Sequence, residues 1–113
     1  MSVAMIEPAA TFKDNLAQLP PIDGVARIDI VDAGGAMVAS IPHAPGKLGS
    51  LAVYQYLGQA FGALDAAAAT HGLAVFGEHT PDARSRPGAH PNIDLLLAIA
   101  EGADALRIEV IAA

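Results

Sequence analysis

"VARIDIVDAGGAMVASIP", residues 25–42, decides the fold. Ala26, Ile28 and Ile30 alternate with Arg27 and Asp29, the period-two pattern of a strand with one covered face. "DAGGA" then supplies a hairpin turn, because Gly34 and Gly35 are free to take positive φ. On the return, Met37, Ala39 and Ile41 are expected on the inner face. The C-terminal "LRIEVIA" repeats the pattern, with Leu106, Ile108 and Val110 alternating with Arg107 and Glu109. Apolar residues on one face, with an arginine and an acid on the other, fit an antiparallel sheet covered on one side.

Helical sequence fills the interval. "TFKDNLAQLPPIDG" reads as a short helix with Phe12, Leu16 and Leu19 on one stripe, Thr11 as N-cap and Pro20-Pro21 as the stop. "SLAVYQYLGQAFGAL" repeats Leu51, Tyr54, Leu57, Phe61 and Leu64 at helical spacing. Gly58 and Gly62 stand four apart, either admitting a close neighbour or merely weakening the helix. Asp65 caps a helix in "AAAATHGLAVFGEH", with a short strand at "GLAVFG" as the competing reading. Thr80-Pro81-Asp82 resembles a fresh cap with proline at the first helical position. "HPNIDLLLAIAEG" is the last helix, with Pro91 at N1, Asp94 in the first turn and Gly102 as the stop. The fold class is therefore α+β. The expected architecture is a three-stranded antiparallel sheet, the hairpin plus the C-terminal strand, packed on one face by three or four helices. Residues 1–9 are expected as a loose tail and 10–113 as a single domain.

Composition narrows function by exclusion. The 113 residues suit one domain with a modest core. No apolar run reaches the ~18 residues that suggest a membrane span, and the N-terminus lacks the basic and apolar regions of a signal peptide. A cytoplasmic protein without membrane contact is the resulting expectation. Cysteine is absent, which removes disulfides, thiol catalysis and cysteine-based zinc sites. A net charge of −6, with six scattered Lys and Arg, argues against nucleic acid as a partner.

Two stretches carry candidate chemistry. In "IPHAPGKLGSL", a strand end runs through a glycine-containing loop into a helix, a place where free backbone N–H groups favour an anion. His43, Gly46, Lys47, Gly49 and Ser50 are the candidate ligand-binding residues there. The sequence is no Walker A loop, and a plain helix cap explains the same residues. The second stretch, "GEHTPDARSRPGAHPNIDLL", adds Glu78, His79, Asp82, His90 and Asp94. These types can ligate metal, but their spacing matches no metal motif, so neither metal nor cofactor is expected. Asp82 and Asp94 also suit the first turns of helices, and His90 an N-cap position. A Ser50, His43 and Asp94 triad can be drawn on paper, as in almost any chain. Both stretches precede helices that pack on one sheet face, so they are expected on one side of the domain.

The segments "NLAQLPPIDG", "IDIVDAGG", "IPHAPGKLGSLAVYQYL" and "EHTPDARSRPGAHPNID", with the C-terminal strand, make the chain resemble a small bacterial family known only as a domain of unknown function. The resemblance runs from about Phe12 and implies a bacterial, cytosolic, stand-alone domain. It implies no activity and no catalytic residue.

Two function classes follow. The leading expectation is a domain that binds an anionic small molecule or a protein partner. The alternative is a small enzyme using a His/carboxylate site, with or without a metal. A homodimer is also expected, because edge strands need cover and the outward face mixes Arg27, Asp29, Arg107 and Glu109 with Val31, Val38 and Ile111.

Overall fold

The computed structural model describes residues 5–113. Strand β1 (Val25–Val31) is the centre of a three-stranded antiparallel sheet, flanked by β2 (Met37–Pro42) and β3 (Arg107–Ala112). The expected α+β class and the sheet of hairpin plus C-terminal strand are both present. Ile28, Ile30 and Ile41 are buried on the inner face, as their alternation requires.

Two bulges alter the faces. On β2 the pairing steps from Ile30↔Ala39 to Val31↔Met37, which leaves Val38 as the extra residue. Met37 is thereby turned to the outer face and is exposed, against the expectation that it points inward. On β1 the register shifts between Val25 and Arg27, so Val25 joins the core while Ala26 is only half-buried. Leu106, just before β3, is buried and Ile108 on β3 is half-buried, but Val110 is exposed although it stands opposite Ile28. It lies on the free side of an edge strand, past the reach of the core.

On the outer face Asp29 is covered by its neighbours. Ser40 Oγ donates to it at 2.8 Å and Arg27 Nε at 3.1 Å, and these bonds hold its carboxyl below the usual range. Glu109 stands directly across from Asp29 and is paired with Arg107 at 3.6 Å.

Among the described residues there are five helices: α1 (Phe12–Leu16), α2 (Leu48–Phe61), α3 (Ala66–Val75), α4 (His79–Ser85) and α5 (Pro91–Ala100). Two of them, α1 and α4, are short, with five and seven residues. Helix α2 lies against all three strands, and α3 and α5 pack together beyond it. Every residue of α2 from Leu51 to Leu57 is buried, the mark of a helix enclosed on all sides. Gly72 of α3 marks the closest crossing, where an added Cβ would stand 2.8 Å from Leu57 Cδ1 and 2.9 Å from Leu96 Cδ1.

The paired glycines of α2 have separate roles. Gly58 faces Ile108 of β3, whose Cγ2 lies 3.3 Å from the position of an added Cβ. Gly62 ends the helix at φ +80°. Leu64, expected on the helical stripe, instead lies beyond that end and exchanges both backbone hydrogen bonds with Leu106, at 2.8 and 3.0 Å. Helix α3 is capped by Asp65, whose carboxylate accepts from Ala68 N–H, and runs to Val75, so the competing strand does not form. Thr80 is not a cap. Helix α4 starts at His79, and the Thr80 hydroxyl donates to Leu73 O at 2.6 Å, tying α4 back to α3.

The stretch expected as a loose tail lies partly outside the described residues, which exclude 1–4. Ile6 N–H donates to Tyr56 Oη at 2.9 Å, and Ala9 exchanges two hydrogen bonds with the buried Asn15 side chain.

Candidate functional site

The loop before α2 and the loop before α5 meet at one cleft of about 410 Å³. Its floor is aromatic and aliphatic: Phe12 stacks on Phe76 with ring centroids 5.3 Å apart, and Leu16 and Ile93 complete it. Its rim is polar. Gly46, Lys47, Gly49 and Ser50 come from the start of α2, His79 from the start of α4, and His90 and Asn92 from the N-cap and first turn of α5.

Local sequence explains the convergence. Gly46 takes φ +83°, turning the chain from β2 into α2. Gly49 is open enough for the Phe12 ring, which sits 2.9 Å from where its Cβ would be. Pro91 opens α5 without needing an N–H partner, and Tyr54, buried in α2, donates its hydroxyl to Asn92 O at 2.6 Å. Burial pushes that phenol's pKa well up, so it stays a donor. Neither α2 nor α5 has a side-chain cap. Among the described residues, the N–H groups of Leu48, Gly49, Ser50 and Asn92 make no hydrogen bond. Two uncapped helix starts thus face one cleft, each with the partial positive charge of its dipole.

His90 Nε2 stands 2.6 Å from Asp82 Oδ2, and Arg86 binds both oxygens of the same carboxylate. The Arg86 guanidinium and then the His90 contact hold Asp82 far below the ordinary carboxylate range, while Asp82 raises Arg86. The His79 and His90 rings lie 5.7 Å apart, and Phe12 meets His79 edge-on at 5.2 Å. Lys47 forms no ion pair among the described residues. Among the described residues, no group of three His, Asp or Glu side chains converges in a way that could hold a metal ion.

The remaining candidates lie apart from the lining. His43 is exposed, with Nδ1 2.7 Å from Val25 O. Glu78 accepts the Phe12 N–H at 2.7 Å, a bond that lowers its pKa and supports the start of α1. Asp94 accepts Gly88 N–H at 2.8 Å. The paper triad of Ser50, His43 and Asp94 has therefore no geometry behind it, since two of its members are engaged elsewhere. Sequence reasoning missed Phe12, Leu16, Phe76, Asn92 and Ile93 as cleft residues. The apolar ones read as ordinary core stripes, and only Asn92 carried a signal, its place in a helix first turn.

The family model described as an uncharacterized protein conserved in bacteria, DUF2322, matches residues 12–110. The chain belongs to this family. The match takes in every residue of the cleft, strands β1 and β2 and β3 as far as Val110, so the cleft is part of the DUF2322 domain itself. No curated protein and no solved structure matches the chain.

Proposed function

We propose that this DUF2322 domain binds a small anionic molecule in the cleft between α1, α2 and α5. The observation that carries the reading is the meeting of two uncapped helix starts, with Lys47 beside them, over an apolar floor. Free N–H groups and Lys47 would hold the charged end, and Phe12, Phe76 and Ile93 an apolar portion. His79 and His90 would add donors, and Asp82 fixes the orientation of His90. The expected setting is the cytoplasm, with no nucleic acid, membrane or resident metal involved. Thermal unfolding in a panel of inorganic phosphate, sulfate and small carboxylates tests this. A ligand raises the midpoint with concentration, and Lys47→Ala removes the rise. A panel without any such shift, or a shift equal in both proteins, overturns the reading.

The Asp82–His90 contact favours one second reading, a small enzyme. A carboxylate on one ring nitrogen sets the tautomer and leaves the other for proton transfer at the cleft. Turnover of a small ester or phosphoester that is lost in His90→Gln would favour it over binding alone.

A further inference from the structure

Strand β3 has an unused edge whose hydrogen-bonding groups can be assigned residue by residue. Along β1, Ala26 O accepts from His43 N and Asp32 N donates to Ala36 O, so the even-numbered residues of β1 bond toward β2. The odd-numbered ones, Arg27, Asp29 and Val31, therefore bond toward β3, where they pair with Ile111, Glu109 and Arg107. That leaves Ile108, Val110 and Ala112 with N–H and C=O aimed at the opposite edge. Leu106 confirms the alternation, since its two bonds go to Leu64 on that side. Among the described residues nothing bonds the outward groups of Ile108, Val110 and Ala112.

The other edge of the sheet is protected. Strand β2 carries a bulge at Val38 and ends in Pro42, features that discourage strand addition. Strand β3 has neither bulge nor proline along RIEVIA, and Val110 is 44% exposed at its edge.

We propose that a second copy of this chain adds to the β3 edge, antiparallel, about a two-fold axis at Val110. Self-pairing allows few registers. Pairing Ile108 with its own copy would set Val110 against Leu106, a position Leu64 already occupies. Pairing Ile108 with Val110 of the copy would put Glu109 directly against Glu109, which repels. Pairing Val110 with Val110 places Ile108 across from Ala112 and Glu109 across from Ile111. In that register every outward group of the three residues finds a partner and no like charges face each other. Arg107 stays beside its own Glu109. The result is a continuous six-stranded sheet. This interface is independent of the cleft and of what the cleft binds.

The chain has no cysteine, which allows a clean test of register. In Val110→Cys the two thiols would stand on paired residues ~5.5 Å apart at Cα, within disulfide range. Mild oxidation is expected to cross-link Val110→Cys rapidly into a covalent dimer and to leave Val38→Cys, on the protected edge, largely uncross-linked. Sedimentation equilibrium at micromolar concentration is expected to give twice the 11.4 kDa chain mass for the native protein. Val110→Lys, at an exposed site, should return it to a single chain with unchanged circular dichroism, and Val38→Lys should stay dimeric. A native protein at single-chain mass, a folded Val110→Lys that remains dimeric, or equal cross-linking at the two positions would overturn the proposal.

Discussion

Asp82 Oδ2 lies 2.6 Å from His90 Nε2 and also receives Arg86, so one carboxylate joins the end of α4 to the start of α5. Its pKa is depressed, and the sign of the pH effect follows. A folded pKa below the unfolded value of ~3.9 means stabilisation that is present above that value and lost as pH falls through the folded one. Acid unfolding should therefore be steeper in the native protein than in Asp82→Asn, which lacks this group. Urea midpoints followed downward from pH ~5 check it. The effect is modest because the carboxylate is partly exposed and solvent screens the pair.

His71 gives a second pH dependence with a different window. Its Nε2 lies 2.7 Å from Tyr56 Oη, which also accepts the Ile6 N–H at 2.9 Å. Burial lowers the His71 pKa. Stability should then fall as pH drops below the unfolded value of ~6.5 toward the lowered folded one, because the unfolded chain takes up the proton first. His71→Gln keeps an acceptor without titrating, so its denaturant midpoint should be flatter across that window.

Two glycines with similar dihedral signs should respond very differently to alanine. Gly77, at φ +59°, has Phe12 N 2.9 Å and Ala10 O 3.2 Å from the position of a Cβ, both backbone atoms that cannot swing away. Gly62, at φ +80°, has nothing within 4 Å. Gly77→Ala is expected to cost about 2–4 kcal/mol, strain plus overpacking, and Gly62→Ala about 1 kcal/mol, from strain alone. Chemical denaturation of the two variants measures the difference. Gly77→Ala should also disturb the cleft, since it displaces Phe12.

Tyr54→Phe removes the hydroxyl that holds Asn92 O and leaves a carbonyl of the α5 first turn without that partner. A loss of about 1–3 kcal/mol is expected, with faster amide exchange at Ile93 and Asp94 than elsewhere in α5. Uniform exchange along α5 would contradict the idea that Tyr54 positions this side of the cleft.

The sheet was legible because Ile28, Ile30 and Ile41 are fully buried and their alternation is unbroken, and α3 and α5 because Asp65 and Pro91 mark their starts. Met37 was misplaced because an extra residue in a strand leaves no trace in an alternation of apolar side chains, and Val38 looks like any strand residue. Leu64 fitted a helical stripe, yet Gly62 ended the helix, and period alone cannot distinguish a stripe from a residue just past it. Thr80 has the composition of a cap but is buried with its hydroxyl on Leu73 O, a tertiary contact that outweighs local preference. For the cleft, the polar half was visible as two helix entries. The floor was not, because Phe12 and Phe76 come from distant segments and meet only once α1 folds against α3.

The central claim, an anion held at two helix starts, is tested most directly by titrating isotope-labelled protein with inorganic phosphate and following each backbone amide by NMR. Saturable shifts are expected at Leu48, Gly49, Ser50 and Asn92, with one shared dissociation constant, and with the side-chain signals of His79 and His90 moving in step. Shifts that fail to saturate, or that cluster away from these residues, would contradict the account.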